Sequence, residues 1–132
     1  MMGMAEDKNG IIWIATANGI FAYDPISRKV FKKFKEFNEM GFCYRVTIDA
    51  YNNIWFNCQK GYWCWMQDKQ QMLKFGYEMG LPENRLEAGM AKGLQGEIFA
   101  GANDALVVFN PSVIMKYKVN APAIITDVLA NH

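Results

Sequence analysis

Histidine occurs once in this 132-residue chain, at the final position His132, and the three cysteines Cys43, Cys58 and Cys64 form no Cys-x-x-Cys pair. Zinc-ligand spacing is therefore missing, and neither a metal site nor a cofactor is expected. An excess of one charge is missing too. Fourteen Lys and Arg stand against thirteen Asp and Glu, a formal net charge of +1, which argues against a nucleic-acid surface. The small basic cluster Lys29, Lys32, Lys33 and Lys35 follows a turn and alternates in part, as a solvated outer strand would. No apolar run approaches the roughly 18 residues of a membrane span. The opening Met1-Met2-Gly3-Met4 lacks the basic stretch and apolar core of a signal peptide. No direct membrane contact is expected of this chain. The odd cysteine count leaves at least one free thiol; buried reduced cysteines acting as small hydrophobes are the favoured reading, and a disulfide between two of them stays open. Finally, no His accompanies a Ser or Cys motif and no carboxylates pair at a telling spacing, so no catalytic residue is expected. Glu78, Glu83 and Glu87 are the carboxylates that could still converge in space.

What the sequence does hold is a repeat. About half of the residues are apolar, enough for a packed core. Asp7-Lys-Asn-Gly-Ile-Ile-Trp13-Ile-Ala-Thr-Ala-Asn-Gly19-Ile-Phe-Ala-Tyr23-Asp24 aligns without a gap on Asp49 to Met66, pairing Asp7 with Asp49, Trp13 with Trp55 and Gly19 with Gly61 at an offset of 42 residues. A third copy, Gly96 to Pro111, follows 44 residues later, with Phe99 in place of the Trp and Ala105 in place of the Gly. Period-2 alternation bounded by Gly and Asn turns divides each copy into four short strands; in the second copy these are 44–48, 54–58, 62–66 and 72–75. The Asn9-Gly10 and Asn18-Gly19 pairs predict tight hairpins with positive φ at both central positions.

Four antiparallel strands in about 42 residues are the size of a propeller blade, and no segment shows the 3.6-residue period of helical repeats. Blades pack on both faces, which accounts for near-continuous apolar runs such as Ile11 to Ala15 and Leu106 to Phe109. Trp13, Trp55 and Phe99 are assigned to the core between blades. Trp63 and Trp65, which share a strand face, are assigned to a slot also occupied by Phe21 and Tyr23 and by Val107 and Phe109. The expected fold is all-β: three four-stranded antiparallel blades over 1–42, 43–85 and 86–119.

The stretch Ala5 to Asp24 resembles the two-component regulator propeller repeat, a pattern of Glu-Asp, a turn with Gly, apolar-Trp-apolar-Gly-Thr, a second turn, and an aromatic followed by Asp. Gly80-Leu-Pro-Glu-Asn84 resembles the segment leading into blades of that family. Phe109-Asn-Pro111 followed by Ala121 to Asp127 resembles its last blade running into the next domain. Ala15 and Asn57 depart from the family's Gly, Cys58 and Ala102 from its Thr, and Asp104-Ala105 from its Asn-Gly, so the third such turn is expected to differ. The resemblance implies a piece of a longer protein: the periplasmic sensor region of an inner-membrane hybrid histidine kinase, itself a homodimer, which detects oligosaccharides and signals to its kinase. It also implies that 120–132 is the first strand of a truncated immunoglobulin-like domain.

Ligands of propellers usually meet the face formed by the loops between blades and the turns between second and third strands. That face collects Phe42, Tyr44 and Arg45, then Glu83, Asn84 and Arg85, and the turn residues Asn18, Gln59, Lys60, Asn103 and Asp104. Sugars are held by aromatic faces and by polar groups that form paired hydrogen bonds; hence Tyr44, Arg45, Asn84 and Arg85 are the preferred contacts, with Asn18, Lys60 and Asn103 beside them. A propeller lyase or hydrolase, or a protein-interaction scaffold, is the alternative. Three blades cannot close a ring, so self-association through exposed blade faces is expected.

Overall fold

The computed structural model describes residues 3–34, 37–75, 90–101, 105–113 and 127–130. They form three four-stranded antiparallel sheets. The first holds β1 (Gly3–Glu6), β2 (Ile12–Thr16), β3 (Gly19–Asp24) and β4 (Lys29–Lys33). A short helix α1 (Phe37–Met40) leads to the second sheet, β5 (Cys43–Ile48), β6 (Ile54–Cys58), β7 (Gly61–Met66) and β8 (Gln71–Phe75). The third holds β9 (Met90–Lys92), β10 (Ile98–Gly101), β11 (Ala105–Phe109) and β12 (Asp127–Ala130). Strand order follows chain order in every sheet, and the first strands β1, β5 and β9 lie side by side. The four strands expected in the second copy match β5 to β8 to within one residue.

Each sheet opens with the same turn. The Asp7, Asp49 and Gly93 N–H groups donate to the carbonyls of Ile11, Asn53 and Glu97, and Gly10, Asn52 and Gly96 donate back to those first residues. Gly10, Asn52 and Gly96 all have positive φ, at 82°, 65° and 84°. Asn9 does not share it, so this is not the two-residue hairpin that the Asn-Gly pair suggests. One left-handed residue closing an i to i+3 turn makes a longer loop of the bulged kind. The Asp side chain decides the difference, because its oxygen collects the N–H groups inside the turn. Asp7 Oδ1 accepts from Asn9 and Ile11 at 2.8 and 3.1 Å; Asp49 Oδ1 accepts from Tyr51 and Asn53 at 2.9 Å each.

Alternation then gives every sheet a forward face, toward the next sheet, and a rear face, toward the one before. Forward residues Trp13, Ala15, Ile20, Ala22 and Phe34 of the first sheet pack on rear residues Val46, Ile54, Phe56, Trp63 and Trp65 of the second. Forward residues Trp55, Tyr62, Cys64, Met66 and Phe75 of the second pack on Ile98, Ala100, Val107 and Phe109 of the third. Trp13 stacks on Phe34 at 5.7 Å between centroids and meets Phe56 at 6.3 Å. Trp55 meets Phe75 at 5.2 Å and Phe109 at 5.0 Å. Burying an aromatic of this size contributes on the order of 4–6 kcal/mol at about 25 cal/mol per Å², so these two interfaces carry the stability of the chain. Trp13 and Trp55 are 2% and 0% exposed, whereas Phe99 is 36% exposed. Phe99 is thus not core among the described residues: it stands on the forward face of the third sheet, where no described sheet follows.

Two further expectations change. Cys43 and Cys58 form a disulfide, while Cys64 is free and buried. A register shift between Cys43 and Arg45 sets Cys43 directly opposite Cys58, with 3.9 Å between their Cα atoms; register is invisible in a one-dimensional spacing. And Asp127–Ala130, assigned from sequence to a following domain, pairs antiparallel with β11 from Ala105↔Ala130 to Val108↔Asp127. It satisfies the backbone edge that β11 would otherwise leave open. The conformation of the third Asn-Gly-type turn, at Asp104-Ala105, lies at the margin of the described residues, with Asp104 outside them.

Candidate functional site

The interblade connection and the second-to-third-strand turns gather at one end of the sheets. Gly41 makes this possible. Its φ is +70°, a conformation that L side chains rarely adopt, and a Cβ there would lie 3.0 Å from Gln59 Cβ, so glycine lets the α1–β5 connection lie against the β6–β7 turn without strain. Two backbone hydrogen bonds clip the pieces together: Gln59 N–H donates to the Phe42 carbonyl at 2.7 Å, and Lys60 N–H to the Met40 carbonyl at 3.0 Å. The Cys43–Cys58 bridge ties the same place from beneath.

Of the residues chosen from sequence, this end brings together Arg45, Lys60, Phe42 and Gln59, with Asn18 in the corresponding turn of the first sheet. Arg45 is half-buried and its Nη1 donates to the Tyr44 carbonyl at 2.8 Å. Across from it Gly3 approaches so closely that a Cβ would sit 3.1 Å from the Tyr44 carbonyl oxygen, so β1 packs against the start of β5. Tyr44 is buried, at 7% exposure, and offers no open ring for stacking; Phe42, half exposed, is the aromatic that does. Lys60 and Asn18 are exposed, and the Asn18 N–H donates to Thr16 Oγ1 at 3.0 Å. Glu83, Asn84, Arg85, Asn103 and Asp104 lie outside the described residues.

The opposite end was not singled out from sequence. There Trp13 Nε1 donates to Asp7 Oδ2, and Trp55 Nε1 to Asp49 Oδ2, both at 2.8 Å. The repeated Asp and Trp are one device, a turn acceptor locked to a core indole. Between the first and second sheets Gln67 Nε2 reaches across to Asp7 Oδ2 at 2.8 Å. The third copy has Pro111 at the position of Gln67, and there a groove of about 220 Å³ opens, lined by Tyr51, Asn53, Met66, Asp68, Lys69, Pro111 and Ser112. Asn53 Nδ2 supplies Asp49 Oδ2 instead, at 3.1 Å. The third copy also replaces Asp by Gly93 and Trp by Phe99, losing acceptor and donor together. The Glu97 carboxylate folds into the vacated volume, its Oε1 1.6 Å from where a Gly93 Cβ would be.

The buried groups show no reactive poise. Burial, reinforced by the negative charge of Asp49, raises the Cys64 thiol well above its ordinary pKa, so it stays protonated and is a poor nucleophile. Burial pushes the Tyr62 hydroxyl up to about 12. The Trp63 indole N–H is buried without a partner, and Lys74 Nζ lies 5.6 Å above that ring. Among the described residues no cluster of His, Cys, Asp and Glu could hold a metal. Nor is any described helix long and apolar enough to cross a membrane.

Comparison with known proteins agrees with this architecture. The family model described as two component regulator propeller matches residues 1–18. No curated protein matches the sequence. The extracellular domain of a putative hybrid two component system from B. thetaiotaomicron superposes with a TM-score of 0.69 at 20% identity, over 83% of this chain and 15% of that one. A second such domain from B. thetaiotaomicron gives 0.72 at 17% identity, over 97% and 17%. Virginiamycin B lyase from Staphylococcus aureus gives 0.66 at 16% identity, over 84% and 38%. The chain therefore spans about a sixth of those extracellular domains and under two fifths of the lyase. At these identities the likeness is one of fold: the sheets are propeller blades.

Proposed function

Because residues 1–18 carry the two-component regulator propeller repeat, we propose that this chain is part of the sensor propeller of a membrane-bound two-component histidine kinase. In this reading it recognises an oligosaccharide on the periplasmic side of the inner membrane, passes the signal to the kinase, and does no chemistry itself. The family match carries the proposal, and the shared fold with extracellular domains of hybrid two component systems supports it. The Cys43–Cys58 bridge fits an oxidising compartment. The contacts assigned to the sugar are Arg45, Asn84 and Arg85 with Asn18, Lys60 and Asn103 around them, and Phe42 takes the stacking role first given to Tyr44.

The test is a glycan panel titrated calorimetrically into the intact sensor region, repeated with Arg45→Ala, Arg85→Ala and, at the opposite end, Tyr51→Ala. Affinity lost in the two Arg variants and kept in Tyr51→Ala supports the assigned face. Loss confined to Tyr51→Ala moves the site to the groove, and no binding by any glycan removes the oligosaccharide reading. A second reading, a propeller lyase, draws on the likeness to streptogramin-type lyases. Incubation with a streptogramin B antibiotic followed by mass spectrometry decides it: linearised product would establish the lyase and displace the sensor.

A further inference from the structure

The two interfaces within the chain are filled differently at the end away from Arg45 and Lys60. In the first, the Gln67 carboxamide crosses from the second sheet and donates to Asp7 Oδ2 at 2.8 Å. In the second, Pro111 stands at the repeat position of Gln67 and has no such side chain to send across, which leaves the groove of about 220 Å³. Asn53, on its wall, is only 7% exposed. A carboxylate accepts and does not donate, so the Asn53 amide turns Nδ2 to Asp49 Oδ2, at 3.1 Å, and its Oδ1 accepts no hydrogen bond among the described residues. The Ser112 hydroxyl gives its proton to Asn110 Oδ1 at 2.7 Å and therefore also meets the groove as an acceptor. Met66, Pro111 and the exposed Tyr51 ring supply apolar walls, and Lys69, exposed, brings a donor to the lining.

We propose that this groove docks a glutamine side chain of a polypeptide partner, in the place that Gln67 takes in the first interface. The N–H groups of its primary amide answer Asn53 Oδ1 and Ser112 Oγ, its methylenes lie between Met66 and Pro111, and its carbonyl accepts from Lys69 Nζ. The volume decides between one side chain and a larger ligand: it falls below the roughly 300–1,000 Å³ of sites that enclose drug-sized molecules. Glutamate, of the same shape, is rejected at neutral pH, because a carboxylate brings no proton to acceptors that need one. The inference does not rest on the oligosaccharide reading, which concerns the other end of the sheets.

The test is a titration of N-acetylglutamine N-methylamide into the nitrogen-labelled 132-residue chain, followed by NMR. The probe should bind with a dissociation constant of about a millimolar, as suits a fragment of its size, and should shift the Asn53 side-chain amide and the Trp55 indole N–H, which shares Asp49 Oδ2 with it. The glutamate analogue should bind about tenfold more weakly or worse, for want of the amide protons. Pro111→Gln should abolish the shifts by filling the groove from within, and Tyr51→Ala, which removes an exposed wall, should weaken binding by about fivefold or more. Circular dichroism identifies a variant that fails to fold, and the other then carries the same expectation. N-acetylglucosamine, which offers an acetamide on a sugar, is titrated as the rival occupant. No shift from the glutamine probe at several times the expected dissociation constant, equal binding of the glutamate analogue, undiminished binding by a folded variant, or tighter binding of N-acetylglucosamine to the same signals would each overturn the proposal.

Discussion

Replacing Asp49 by alanine removes the acceptor of four donors: the N–H groups of Tyr51 and Asn53, the Asn53 amide and the Trp55 indole. Asp49 is fully buried, and three of these bonds are buried with it. A buried donor left without a partner costs about 1–3 kcal/mol. The Asn53 amide can turn toward the adjacent groove and water, which leaves two donors stranded and an expected loss of about 2–6 kcal/mol. Asp7→Ala strands only one buried donor, the Trp13 indole, so about 1–3 kcal/mol follows from the same rule. Glu97→Ala removes one exposed bond at 3.3 Å and should stay within about 0.5 kcal/mol. Guanidinium unfolding with the disulfide kept oxidised measures all three. A double-mutant cycle with Trp55→Phe should then show coupling of about 1–2 kcal/mol, since a phenylalanine has no donor to strand. Asp49→Ala within about 1 kcal/mol of wild type, or additivity with Trp55→Phe, would refute the reasoning.

The Cys43–Cys58 bridge spans a sequence separation of 15; reduction by dithiothreitol, or Cys58→Ser, should lower stability by about 2–3 kcal/mol, read as a fall in Tm. Gly41→Ala, forced to positive φ against Gln59, should cost about 1–3 kcal/mol and raise proteolytic cleavage near Phe42. Tyr62 has its folded pKa raised from 10.0 to about 12. Its contribution is whole below pH 10 and lost as pH climbs through 12. A two-unit shift is worth about 2–3 kcal/mol, so wild-type stability should fall across that window. Tyr62→Phe should flatten the fall by about one proton's slope, with Cys64 keeping a share of it.

Much of this fold could be read without coordinates, because its information repeats. Trp13 and Trp55 at one offset, each six residues after an Asp, define the strand, the turn and the core slot together; the alternation of Trp63 and Trp65 then assigns a face. What escaped depends on contacts between strands or between sheets. The bridge needed the bulge at Tyr44 that sets Cys43 opposite Cys58. The bond from Gln67 to Asp7 joins residues 60 apart, so the groove that opens where Pro111 replaces Gln67 left only that substitution as a signal. Tyr44, chosen as part of an interblade loop, belongs to β5 instead, and its ring is buried. The repeat position assigns Phe99 to the core, yet it is 36% exposed, because a position is core only when another sheet covers it. The candidate ligand face was legible as an end of the sheets, from the order of turns, and Gly41 is the residue that could have been noticed for holding that end together.

The central claim is that sheets of one repeat stack face to face through Trp13 and Trp55, one in the forward face of each of the first two sheets. Side-chain NOE spectroscopy of the chain with labelled aromatic residues tests it most directly. Cross-peaks should join the Trp55 ring to Phe109 and the Trp13 ring to Phe56, with both indole N–H signals protected from exchange. Tryptophan rings that contact only residues of their own sheet, with freely exchanging indole protons, would contradict it.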